Sequence, residues 1–376
     1  MAEVQGFTTE KFEAVRAVLS SQLDSGADIG ASIAVVHHDE LVVDIWGGHQ
    51  DEAKTTPWER DTIVNVWSTT KTMTFLVALM LVDRGELDFF APVAKYWPEF
   101  GANGKEAIEV RHLMSHTSGL SAWDELTPEE LADWELSTSK LAAQAPWWTP
   151  GDGSGYHLVS QGHLIGEVVR RITGQTIGQF FKREVADVLG ADFHIGLPES
   201  EEHRVSMVIP PPPLDASQLG IEAGSVAYKS YTGPLLDATY PQHRWWRAAE
   251  IPAANGHGNA RSVATIQAII AGKGQTQGHR FFSEATSDLI FQTQAHGVDR
   301  VLGTEIHFGM GYGLASSIMP LGPRACYWGG YGGSVIIMDQ DADLTIAYMM
   351  NRMDSVLTGD VRSVNVALAA FVAAMS

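Results

Sequence analysis

Residues 73–82, MTFLVALMLV, are apolar on nearly every face, and Gly85 follows as a natural stop. A helix that is hydrophobic all round has no side to offer to water, so it runs through the interior. Any fold for this chain must therefore pack other elements around that segment. At 376 residues, 45% of them hydrophobic, the chain is ample for a large buried core and too long for one small module. Ser68 to Lys71 form the first turn of the buried helix.

The flanking patterns set the rest of the organisation. The opening residues read as an amphipathic helix with Phe12, Val15, Val18 and Leu19 on one side. Two β-branched runs, Gly30–Val36 and Leu41–Trp46, surround His37-His38-Asp39-Glu40 and predict a β-hairpin. Two histidines beside two acids also resemble a metal site, but a hairpin scatters such side chains and the turn is the preferred reading. From 86 to 235 the pattern is mainly helical, broken by Pro and Gly, with a loop-rich tail around Pro210-Pro211-Pro212-Pro213. Strand signals return at Arg324–Trp328, Ser334–Asp339 and Leu344–Met350, and an apolar helix over 360–375 closes the chain. Strands at both ends with helices between predict an α/β fold of the α+β type. Residues 1–85 and 236–376 form its sheet lobe, and 86–235 an inserted helical lobe.

Charge and composition exclude several functions. A formal net charge of −20 repels phosphate backbones, and no basic cluster with interleaved aromatics appears, so nucleic acid and anionic membrane are not expected partners. No signal-peptide pattern and no membrane-length apolar run is seen, which points to the cytoplasm. Cys326 is the single cysteine and allows no intramolecular disulfide.

Three segments carry possible chemistry. In Ser-x-x-Lys on a helix, the lysine amine reaches the serine hydroxyl, and burial that leaves the amine neutral makes it a base. The motif occurs twice, as Ser68/Lys71 and Ser137/Lys140. The second lies in an amphipathic stretch that leaves its lysine charged; the first opens the buried helix, so context selects Ser68. Taken alone, Ser68 also reads as an ordinary helix cap. Tyr156 follows the glycine-rich Pro150–Gly155 and precedes an amphipathic helix with Leu164, Ile165, Val168, Val169 and Ile172. It is either a core anchor or, beside a lysine that favours its phenolate, a proton shuttle. Trp328-Gly329-Gly330-Tyr331-Gly332-Gly333-Ser334 is either a bulge or a strand whose backbone approaches a ligand and lends an N–H to an oxyanion hole.

In combination, Ser68-Thr69-Thr70-Lys71, Tyr156 after Pro-Gly, and Trp328-Gly329-Gly330 resemble the serine β-lactamase and penicillin-binding superfamily. The segments Val110–Leu120, Asn255–Arg261 and Ala347–Met353 agree with it. Within that superfamily the chain is most similar to the class C β-lactamase-like esterases, the family VIII carboxylesterases. The resemblance implies a β-lactamase-like fold, an antiparallel sheet flanked by helices, with the active site in the cleft between the lobes. It implies Ser68 as nucleophile, Lys71 and Tyr156 as proton carriers, and the Ser68 and Tyr331 main-chain N–H groups as oxyanion hole. The departures matter equally. Leu158 stands where a class C β-lactamase has the Asn of Tyr-x-Asn, and Trp328-Gly329-Gly330 replaces Lys-Thr-Gly. Both lost groups would help hold a β-lactam, so Trp328, Gly329, Gly330 and Leu158 are expected to meet a simpler substrate. No Gly-x-Ser-x-Gly occurs, which argues against a nucleophile-elbow esterase.

The expectation is a serine carboxylesterase that cleaves small-molecule, short-acyl esters through acyl-Ser68, with no cofactor and no metal. A β-lactamase, an acyltransferase or a D-amino-acid amidase on the same fold is the alternative, and a non-catalytic peptide-binding relative the second. His112 and His116 have helical metal-ligand spacing but lack a third ligand, and His116 is expected to fix the loop through Gly119. His257 is expected to be structural. Trp147, Trp148, Trp245 and Trp246 read as core or as acyl-pocket lining, and Cys326 as a small buried hydrophobe. The sequence leaves the oligomeric state open.

Overall fold

A computed structural model describes residues 3–211, 221–234, 236–357 and 359–376. Pro212 and Pro213 of the proline run lie outside the described residues. Strands from both ends of the chain meet in one nine-stranded sheet, antiparallel at every pairing. Across the sheet the order is Val4–Thr8, Glu40–Gly48, Gly30–His37, Leu344–Met350, Val335–Asp339, Ala325–Gly329, Gly313–Leu314, Glu305–Phe308 and Ala295–Val298. The three central strands, Gly30–His37, Leu344–Met350 and Val335–Asp339, are buried along almost their whole length, as strands covered on both faces must be. Helices Glu13–Ser25 and Val361–Met375 pack together against the sheet, and helix Ala260–Ala271 lies on the same central strands.

The hairpin forms as expected, with His37 paired to Glu40. His38 and Asp39 make the turn at φ 52° and 60°, the left-handed pair that suits the twist of a two-residue hairpin loop. Four strands of this sheet were not expected from the sequence: Val4–Thr8, Ala295–Val298, Glu305–Phe308 and Gly313–Leu314. The first is an edge strand exposed over its middle three residues, so it carries no apolar alternation. The others have two to four residues, too short for a period to register.

The apolar segment forms helix Lys71–Asp83, buried continuously from Lys71 to Leu81. It packs against helices Ser160–Thr173 and Ile177–Phe181 on one side and Glu284–Asp288 on another. Ser68 belongs to a tight 3₁₀ turn, Trp67–Thr70, that leads into it, and strand Ala325–Gly329 abuts that turn. Among the described residues no helix is long and apolar enough to cross a membrane.

A buried ionic cluster ties the last helix to the sheet. Arg362 donates to Asp28 at 3.0 Å, to Asp360 at 2.8 Å and to the Gly332 carbonyl at 2.7 Å, while the Tyr348 hydroxyl donates to Asp28 at 2.6 Å. Removing one partner of such a cluster strands a charge away from water. Arg362→Leu is therefore expected to cost about 3–5 kcal/mol of stability. Urea unfolding should show a lower midpoint at unchanged slope; an unaltered midpoint would mean the cluster carries no such weight.

Candidate active site

Ser68 is presented by a backbone that is held against its own preference. Trp67, immediately before it, sits at φ 49°, a conformation that a bulky residue adopts only when its surroundings impose it. Those surroundings are dense. The Ser334 hydroxyl donates to the Val66 carbonyl at 3.0 Å and lies 3.0 Å from the Thr69 hydroxyl. Thr70 donates to the Trp67 carbonyl at 2.5 Å and accepts the Gly256 N–H at 2.9 Å. The Trp67 ring packs on Trp246 and Tyr331 at 5.6 and 5.5 Å between centroids.

Lys71 Nζ lies 3.0 Å from Ser68 Oγ, 2.8 Å from the Leu158 carbonyl and 3.0 Å from the Ala253 carbonyl. It is fully buried, and all three neighbours are neutral. Loss of hydration therefore holds its pKa well below the ordinary 10.5. A neutral amine has two N–H bonds and one lone pair. In that form the two carbonyls can take the N–H bonds, which leaves the lone pair to face the serine hydroxyl. The other Ser-x-x-Lys is not joined: Ser137 is buried and donates to the Glu130 carbonyl at 2.8 Å. Lys140 instead reaches the Glu130 carboxylate at 3.2 Å.

Tyr156 is delivered by a loop pinned on two sides. His116 accepts the His157 N–H at 3.0 Å, gives its carbonyl to the Gly155 N–H at 3.0 Å, and packs its ring 4.7 Å from that of Tyr156. Asp299 was not singled out in the sequence, yet its buried carboxylate accepts from the Ser154 hydroxyl at 2.6 Å and the Tyr156 N–H at 3.0 Å. It also takes the N–H groups of Val301 and Leu302 at 2.8 and 2.9 Å. The Tyr156 ring centroid is 5.0 Å from Lys71 Nζ. Its buried hydroxyl lies against the Ser68 and Trp328 side chains without a well-formed hydrogen bond to either. The expected phenolate is corrected here. Burial pushes the phenol pKa up, the Ser68 and Trp328 contacts offset this only in part, and Asp299 adds to the rise. Burial thus acts on the two neighbours in opposite directions, lowering the Lys71 pKa and raising that of Tyr156.

The glycine-rich strand end is fitted to the Trp67–Thr70 turn. A Cβ on Gly330 would stand 2.3 Å from both the Val66 carbonyl and Ser334 Oγ, so only glycine allows this approach. Around it, Gly330 N–H donates to Ser334, Gly333 to Gly330 and Gly332 to Val356, a pattern that does not include the Tyr331 N–H. Gly329 ends the strand, and Trp328 packs on Phe75, His116 and Tyr156 at 5.3, 5.6 and 6.0 Å, its indole N–H buried and unpartnered. Leu158 contributes its carbonyl to Lys71, while its side chain is buried.

The remaining candidates sort by their contacts. His116 uses Nδ1 on the His157 N–H and sets Nε2 3.3 Å from Gln161, while His112 Nδ1 accepts the Glu109 N–H; neither pattern leaves a shared pair for a metal. Among the described residues no group of three or more His, Cys, Asp or Glu is placed to hold one. His257 is buried, bonded to the Asn255 carbonyl, with burial lowering its pKa to about 3. Trp246 is core, its N–H on Asn65, and Trp245 packs against it. Trp148 fills the space that the missing Gly155 side chain leaves, and Trp147 binds Asp124. Cys326 is fully buried, which pushes its thiol pKa up.

Fold and site together define a serine hydrolase of β-lactamase-like fold. The chain belongs to the Beta-lactamase family, whose model matches residues 15–371. It is 33% identical over 377 residues to "Esterase/beta-lactamase LipL" of Mycobacterium tuberculosis (strain ATCC 25618 / H37Rv), covering 94% of this chain and 84% of that protein. A crystal structure of a family VIII carboxylesterase superposes at TM-score 0.92 with 37% identity, covering 99% of this chain and 100% of the other. A penicillin-binding protein homologue from Caulobacter crescentus gives 0.91 with 34% identity, at 99% and 100% coverage.

Asp299→Ala removes the acceptor that four donors share and frees the Tyr156 loop to shift. A displacement of about 1 Å is expected to lower kcat about 100-fold with KM little changed. Steady-state kinetics on the folded variant would show it, and an unaltered kcat would exclude a positioning role.

Proposed function

We propose that this protein is a serine carboxylesterase acting on small-molecule, short-acyl esters in the cleft between a sheet lobe (1–85 and 236–376) and a helical lobe (86–235). The observation that carries the reading is the Lys71 amine. It is buried, faces two carbonyls and the Ser68 hydroxyl, and has no carboxylate beside it. Ser68 Oγ attacks the ester carbonyl as its proton passes to Lys71 Nζ. The carbonyl π pair moves to oxygen, where the Ser68 and Tyr331 main-chain N–H groups meet the negative charge. Collapse expels the alcohol, which takes its proton from the Tyr156 hydroxyl, and Lys71 returns a proton to Tyr156. Water then cleaves acyl-Ser68 by the same relay in reverse.

The preference for esters follows from what the cleft omits. A β-lactam brings a carboxylate and an amide that lose water on binding. Leu158 has no side-chain hydrogen bond to offer, and Trp328 has no positive charge. Each unmet group costs about 1–3 kcal/mol, so together they lower the specificity constant by roughly two to four orders of magnitude.

The test compares kcat/KM for p-nitrophenyl butyrate and a chromogenic cephalosporin in the wild type, Ser68→Ala and Ser137→Ala. Butyrate should exceed the cephalosporin by that margin. Ser68→Ala should lose roughly 10⁴-fold or more, and Ser137→Ala should match the wild type. Equal constants for the two substrates would overturn the ester reading, and an active Ser68→Ala would overturn the nucleophile.

A further inference from the structure

Helix Val361–Met375 turns Val366, Ala370 and Ala373 toward the core, along with Arg362 and Ser363. Its outer face is also apolar. Val361 is 70% exposed, Val364 50%, Leu368 58%, Val372 64% and Met375 76%. The spacings are three, four, four and three, which keeps all five on one side of an α-helix along about 21 Å. A helix on the surface of a soluble protein ordinarily carries charge on that side. Here the helix's one charged residue, Arg362, is buried on Asp28 and Asp360. The five side chains leave a patch on the order of 500 Å² in water, near the upper end of what a monomer tolerates.

The stripe is a palindrome about Leu368. Val364 and Val372 stand four residues to either side, and Val361 and Met375 seven. We propose that a second copy of this chain covers it, as an antiparallel helix pair whose two-fold axis passes through Leu368. In a two-fold interface each residue meets its mirror position. Leu368 then meets the partner's Leu368, Val364 the partner's Val372, and Val361 the partner's Met375. Leu368 and the two inner valines meet their like, Val361 meets the longer Met375, and at the rim Asn365 meets the partner's Phe371. Chemistry selects this occupant. A chain of net charge −20 repels its own copies elsewhere, but this face is neutral. An acidic or basic partner finds no charge within the stripe to pair with. An anionic lipid surface meets a chain of the same sign, and Lys11, which keeps its charge while donating to the Ala374 carbonyl, adds one cation beside the end of the helix. With half-buried Phe371 and exposed Asn365 at its rim, the patch approaches the roughly 800 Å² per partner that a specific dimer covers.

Sedimentation equilibrium of the full chain across micromolar concentrations should give twice the 40.8 kDa chain mass. Leu368→Glu sets two like charges on the axis and should sediment as a monomer, with p-nitrophenyl butyrate turnover per chain unchanged. Copper phenanthroline should oxidise Leu368→Cys to a disulfide-linked dimer, two thiols becoming one disulfide. It should leave Val361→Cys uncrosslinked, since the two Val361 positions lie at opposite ends. Buried Cys326 does not interfere. A monomeric wild type, a dimeric Leu368→Glu, or crosslinking through Val361→Cys in place of Leu368→Cys would each overturn the proposal. So would a wild type that is monomeric and binds neutral phosphatidylcholine vesicles. These readouts are masses, so they stand or fall separately from the hydrolytic activity.

Discussion

A lysine buried in a dry interior among neutral partners is the constraint on which the rest depends. An ammonium at the Lys71 position would face desolvation with no carboxylate in reach. The amine is accommodated because three separate segments bring it neutral partners: the Ser68 hydroxyl, the carbonyl of Leu158 and the carbonyl of Ala253. That convergence dictates local sequence elsewhere. Gly162 lies where a Cβ would stand 2.4 Å from the Ala253 nitrogen, so its missing side chain lets helix Ser160–Thr173 close on the 252–253 segment. Thr74, one turn along from Lys71, fastens the same segment through the Pro252 carbonyl at 2.8 Å.

The same burial sets the electrostatics of the whole site. It drives Lys71 down and Tyr156 up, and lowers His116 well below its usual range and His157 to about 3. Burial thus disfavours the charged form of each of these four groups. Negative charge created on a substrate oxygen would appear in surroundings that screen it little. The donors proposed to meet it are held by rigid neighbours. Ser334 joins the glycine turn to the Trp67–Thr70 turn, and Arg362 grips the Gly332 carbonyl from the far side. The strain at Trp67 is maintained from both directions.

Much of this was legible in the sequence where a pattern is local. The all-apolar run after Ser68 distinguished it from Ser137, and alternation with a polar turn marked the hairpin. The resemblance around Tyr156 and Trp328 led to the family. What escaped notice depends on contacts distant in the chain. Asp299 is 143 residues from the Tyr156 amide that it binds, and a lone aspartate in a loop carries no local signal. The short strands from 295 to 314 exist because the sheet edge offers them partners, not because of their own propensity. Proximity to a lysine suggested a phenolate, but the depth of burial, which no local pattern encodes, raises the Tyr156 pKa instead.

The charge state of Lys71 can be observed directly. NMR of protein labelled with ¹⁵N-lysine, with the Lys71→Arg spectrum assigning the signal, follows the Nζ shift as pH is varied. The expected result is a neutral amine at about pH 8, with a midpoint well below the ordinary lysine value. An ammonium signal at Lys71 that persists to about pH 10 would contradict the proposed mechanism at its first proton transfer.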